Sequence, residues 1–138
     1  MANLLGIDYG RRRMGLSFAD ELGVAIPLKA VPGVEETECL EALAEVVRER
    51  NPDFFVIGYP LNMDGSIGSR ALEVDAFIEK LQQLFALPIE KVDERLTTYQ
   101  AKSDAKGIGG RRGKIPGELD SAAATLILRD YLESQEQV

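Results

Sequence analysis

The sequence contains no histidine. That absence excludes every Ser-His, Cys-His and His-metal mechanism, because no imidazole is present to move a proton or ligate an ion. Cys39 is the only cysteine, so no intramolecular disulfide can form and there is no Cys-rich metal knuckle. Catalysis would fall to carboxylates, Lys, Tyr, Ser or Thr. Positive charge is scarce too: 16 Lys and Arg stand against 23 Asp and Glu, a net charge of −7. That is not the balance of a strongly basic nucleic-acid binder. No apolar run nears the roughly 20 residues that span a bilayer, and no basic segment followed by an apolar one opens the chain. A soluble cytoplasmic protein is the expectation.

What is present is a chain of 138 residues, 45% hydrophobic and 28% charged. These totals suit one domain, residues 1–138, able to bury about two-thirds of the surface its unfolded form exposes. Residues 3–9 read as an apolar strand, and residues 14–19 alternate Met14, Leu16 and Phe18 with Gly15, Ser17 and Ala19, a strand with one crowded face. Residues 24–31 make a third strand, and Pro27 within it removes a ladder donor, which assigns it to a sheet edge. Short turns between these strands predict an antiparallel meander.

The pattern then changes period. Leu40, Leu43 and Val47 predict a helix over 36–50, stopped by Asn51-Pro52. The continuous apolar run 53–58 reads as a strand covered on both faces. Ala71, Val74, Ile78, Leu81 and Phe85 predict a helix over 67–86, and 88–92 a last short strand. Thr97 or Thr98 would cap a helix to Lys106; a loop rich in Gly and Arg, 107–117, precedes a final helix over 118–133. The order β-β-β-α-β-α-β-α-α implies an α/β fold, one mixed sheet with helices on both faces.

Acids stand at three separated places. Asp8 lies in the first, central strand, where an uncompensated carboxylate costs several kcal/mol of desolvation, on the order of what a missing partner costs any buried charge. The bland alternative is a turn-capping Asp before Gly10. Asp93 and Glu94 follow the last strand, beyond the carboxyl ends of the parallel strands where ligands gather, unless they are simply a solvated strand end. Asp120 opens the final helix, on one face with Ala123, Ala124 and Ile127, and could equally serve the helix dipole. Carboxylates that converge stay ionised only with a cation between them. In a chain without His, such a cluster points to Mg²⁺ or Mn²⁺ held by oxygens, two ions roughly 4 Å apart being the arrangement suited to phosphodiester hydrolysis.

Gly6-Ile-Asp-Tyr-Gly10 with Met14-Gly15, Gly58-Tyr-Pro-Leu-Asn-Met-Asp-Gly65, Asp93-Glu-Arg-Leu-Thr-Thr98 and Leu119-Asp-Ser-Ala-Ala123 occur in that order. Together they resemble the YqgF family of bacterial proteins, RuvC-like and RNase H-fold, described as pre-16S ribosomal RNA nucleases and as Holliday junction resolvases. The resemblance spans essentially the whole chain and implies a five-stranded mixed sheet, antiparallel in its first three strands and flanked by helices. It also implies metal-dependent cleavage of nucleic acid, with Asp8, Glu94 (Asp93 in reserve) and Asp120 as metal-binding catalytic acids. By the same resemblance the loop from Asn62 to Gly65, and Arg95, approach the substrate backbone. Tyr59 departs from the family, which usually carries a smaller aliphatic residue before the Pro.

Two basic clusters lie near the acids along the chain, Arg11, Arg12 and Arg13 after Asp8, and Arg111, Arg112 and Lys114 before Asp120. Beside the acids they could hold phosphates; elsewhere they are solubilising charge. The expected partners are precursor ribosomal RNA, branched DNA as the rival substrate, and ribosomal particles, with the chain acting as monomer or homodimer. A non-catalytic RNA-binding assembly factor is the non-enzymatic alternative. Gly6-Ile-Asp-Tyr-Gly10 also looks like the first phosphate motif of the actin and sugar-kinase folds, but those need two such domains around a nucleotide.

Overall fold

A computed structural model describes residues 2–10, 12–32, 36–94 and 121–136. Its elements are β1 (Leu4–Asp8), β2 (Arg13–Ala19), β3 (Ala25–Pro32), α1 (Glu36–Arg50), β4 (Phe54–Tyr59), α2 (Ser69–Leu84), β5 (Ile89–Asp93) and α3 (Ala122–Glu136). The strands form one sheet in the order β3-β2-β1-β4-β5. β1, β2 and β3 are antiparallel neighbours, while β4 is parallel to both β1 and β5. The meander, the mixed sheet and the central place of β1 are as the sequence predicts. β3 is an edge strand, so Pro27 and Pro32 leave no central ladder short of a donor. The helix expected over 67–86 is shorter, because the chain is extended again at Phe85, whose amide closes the last turn on Leu81. Asn51 ends α1 with a left-handed φ of 49°, a conformation Asn adopts more readily than most residues. The helix capped by Thr97 or Thr98, the loop 107–117 and residues 118–120 lie outside the described residues.

Side-chain alternation divides the sheet. Leu5, Ile7, Met14, Leu16, Phe55 and Ile57 face α1 and α2, where Cys39, Leu43, Ala71, Val74, Phe77 and Leu81 complete a cluster of large side chains. Leu4, Ala19, Val56 and Val92 face the other way and pack on Ile127 and Leu128 of α3. Helices therefore cover both faces.

α3 lies close to its face because the residues beneath it are small. A Cβ at Gly6 would sit 2.6 Å from Leu128 Cγ and 3.1 Å from the Ala124 carbonyl oxygen. Ser17 Oγ donates to that carbonyl at 2.6 Å. The β2–β3 ladder shifts register between Met14 and Leu16, and there the Leu16 amide donates to Ser121 Oγ at 3.1 Å. Both serines are fully buried. Two buried hydrogen bonds, each worth about 1 kcal/mol net, thus set where α3 begins on the sheet.

Candidate active site

Asp8 ends β1, and alternation from Leu4 and Gly6 turns its side chain to the α3 face. Its β2 neighbour is Gly15, which crowds nothing. Glu94 follows β5 directly; alternation from Val92 turns it to the same face. Between them runs β4. Ile57 pairs with Ile7 on one side, and Gly58 pairs with Val92 on the other. The Glu94 side chain crosses over Gly58 to form a side-chain hydrogen bond with Asp8. These acids stand 86 positions apart in the chain, yet one strand separates them in the sheet.

Two carboxyls can bond to each other only when one carries a proton. Burial is the main force that keeps that proton on Glu94, followed by its hydrogen bond to Asp8 and the Asp8 charge. Together they push the Glu94 carboxyl from the usual 4.5 up to about 8. Arg70, in the first turn of α2, pulls the other way, and Asp93 adds to the rise. Arg70 is a charge at this site that the reading of α2 by its apolar spacing passes over. The signal available in the sequence is that α2 follows β4, so its N-terminus must lie at the carboxyl edge of the parallel strands.

Asp93 is exposed and pairs with Tyr59 at the end of β5; its charge is felt at Glu94 and at Asp130 of α3, while the bond to Asp8 comes from Glu94. The structure therefore brings Glu94, rather than Asp93, to Asp8. Asp120 lies outside the described residues; the next residue, Ser121, is the one that holds the Leu16 amide beside the Asp8–Gly15 pair. Arg12 and Arg13 are exposed at the β1–β2 turn, close in sequence to Asp8, whereas Arg11, Arg95, Arg111, Arg112 and Lys114 lie outside the described residues. Asn62 is exposed, but its carboxamide braces its own loop: Nδ2 donates to Ser66 Oγ at 2.9 Å, and the Asn62 amide donates to the Ser66 carbonyl. Tyr59 points to the opposite face, where its hydroxyl donates to Asp75 at 2.8 Å and Lys91 lies over its ring. No helix among the described residues is long and apolar enough to cross a membrane.

Residues 2–134 match the sequence family described as RuvX, Holliday junction resolvase. A protein of Opitutus terrae named "Putative pre-16S rRNA nuclease" is 42% identical over 132 residues, covering 95% of this chain and 91% of its own. A Synechococcus protein of the same name is 37% identical over 134 residues, covering 96% and 90%. Among solved structures, Thermus thermophilus RuvC in complex with a Holliday junction substrate superposes with a TM-score of 0.58 at 15% identity, over 100% of this chain and 98% of that one. The fowlpox virus Holliday junction resolvase gives 0.55 at 13% identity, over 96% and 99%. At such identities the likeness is one of fold.

Proposed function

The chain belongs to the RuvX family, and from that membership together with the paired acids we propose that it is a divalent-metal-dependent nuclease that processes precursor 16S ribosomal RNA. The observation that carries this reading is the bond between Asp8 and Glu94 across β4. Two carboxyls held together under partial burial repel once both ionise, and they tolerate that state when a cation lies between them. The donors are all carboxylate oxygens, the chemistry of Mg²⁺ or Mn²⁺ rather than of softer ions. Among the described residues no group of three or more ligand-type side chains occurs. Asp8 and Glu94 supply oxygens, and Asp120, which precedes Ser121, completes the set. Bound there, one or two such ions would supply Lewis acidity to a water and to the departing oxygen of a phosphodiester.

The protein's own residues do the rest. Asp8, paired with Gly15 of β2 at the end of β1, is the fixed member of the pair. Glu94 is the adjustable one, reaching in on a flexible side chain and giving up its proton when a cation arrives. Arg12, Arg13 and Arg70, with Arg11, Arg95, Arg111, Arg112 and Lys114, attract the phosphate backbone, and Asn62 holds the loop that faces it. Without His, substrate oxygens or bulk water carry protons away.

Residues 1–138 act as one nuclease domain, in the cytoplasm and on ribosomal particles, as monomer or homodimer. RNA comes first because relatives at 37–42% identity carry the rRNA nuclease name. Branched DNA is the second reading, favoured by the family's description. Incubating precursor 16S rRNA and a four-way DNA junction side by side, with Mg²⁺, Mn²⁺ or EDTA, tests both. The RNA should be cut with either ion and left whole in EDTA. Cleavage of the junction alone would transfer the activity to DNA, and cleavage of neither would leave an RNA-binding assembly factor.

A further inference from the structure

We propose that Gly58 is a positioning residue for the acid pair: its missing side chain is the slot through which the Glu94 carboxyl crosses β4 to reach Asp8. The inference rests on the functional reading above only for its consequence in metal binding; the geometry is independent of it. Gly58 is a β-strand residue with buried apolar neighbours on either side, Ile57 and Tyr59, so nothing about its backbone calls for glycine. Neither its φ nor a turn demands one, since the only glycines of positive φ among the described residues are Gly23 and Gly65.

What glycine provides is space. A Cβ at position 58 would collide with Glu94 Oε1 and stand 2.7 Å from Glu94 Cδ and 2.6 Å from Ile127 Cδ1. Each of these is far closer than the 3.5–4.0 Å of ordinary carbon contact. The atoms in the way are the ends of side chains, not backbone. An added methyl therefore has an easy escape that leaves the fold in place: it displaces the carboxyl. Ile127 forms the other wall of the slot and is itself fully buried on α3. The Glu94 carboxyl is thus held in a gap between a β-strand without a side chain and one methyl of a helix.

The test compares the full chain with Gly58→Ala and with Gly58→Ala/Ile127→Val, which removes the methyl opposite. Mn²⁺ binding by calorimetry, cleavage, thermal melting and metal-free crystal structures are measured for all three. Gly58→Ala should melt within a few degrees of the parent, lose Mn²⁺ affinity by about 10- to 100-fold, as displaced ligand geometry usually costs, and show Glu94 swung off Asp8. The Ile127→Val change should recover part of that loss by reopening the slot. Parental Mn²⁺ affinity in Gly58→Ala, or a crystal structure with Glu94 still bonded to Asp8 over the new methyl, would overturn the proposal. If Gly58→Ala fails to fold, the double variant decides by the same criteria. If the parent itself binds no Mn²⁺, the nuclease reading fails while the position of Glu94 in the two crystal structures still decides the role of Gly58.

Discussion

On one face of the sheet Leu5, Ile7, Met14, Leu16, Phe55 and Ile57 interlock with α1 and α2 through large apolar side chains, whereas on the other Leu4, Val56 and Val92 share the approach to α3 with Gly6, Ser17 and Gly58, which are small. The same strands build both, one residue out of phase. On the first face, burial of large side chains supplies stability, and no charge intrudes among the buried members of the cluster. On the second, the helix comes close enough, and the residues beneath it are small enough, for two carboxyls to share a partly buried space. The difference shows how a strand pays for a destabilising acid pair: alternate residues on the reverse side do the stabilising. It follows that the two faces should respond separately to mutation.

The sharpest break is Asp8→Asn. It should lower cleavage by more than about 10³-fold, some 4 kcal/mol of transition-state stabilisation at 1.36 kcal/mol per decade, while thermal melting shows the fold retained. Phe55→Ala inverts the pattern. Phe55 is fully buried on the α1–α2 face, so denaturant unfolding should show a loss of about 3–5 kcal/mol, with Mn²⁺ affinity unchanged wherever the protein remains folded. Ser121→Ala falls between the faces. It strands the buried Leu16 amide, which should cost about 1–3 kcal/mol and, by loosening the start of α3, weaken metal binding as well. If Ser121→Ala moved stability alone, the start of α3 would have no part in the site.

The pH dependence separates the faces more gently. Glu94 holds its proton in the folded state to about 8, against 4.5 ordinarily. Below the lower value folded and unfolded chains both carry it; between the two only the folded chain does. The metal-free protein should therefore lose stability as pH rises from about 5 to about 8, because the unfolded state binds fewer protons there. Glu94→Gln should flatten that slope, and thermal melts across the pH range measure it.

The architecture was legible because its signals are local. Pro27 marks an edge, the 3-4 spacing of α2 marks a helix, and the unbroken apolar run at Phe54 to Ile57 marks a strand covered twice. The approach of Glu94 to Asp8 was partly legible, since alternation from Leu4 and from Val92 turns both acids one way. Alternation alone does not say that a single strand separates them, or that the residue of that strand between them is Gly58. That follows from the pairing of Ile7 with Ile57 and of Gly58 with Val92, which joins segments distant in sequence. Arg70 escaped for a related reason: apolar spacing describes the buried side of α2, and a charge in its first turn gains meaning only once the helix start is set beside the strand ends. Ser121 likewise reads as a helix-start hydroxyl until the register shift in β2–β3 presents it with the Leu16 amide.

The central claim is that Asp8 and Glu94 together await a divalent cation, and Mn²⁺ calorimetry at pH 7 in buffers of different ionisation heat tests it most directly. With the Glu94 proton retained to about 8, binding should release about one proton per site, and Asp8→Asn should abolish it. Binding that releases no proton, or that persists unchanged in Asp8→Asn, would contradict the account.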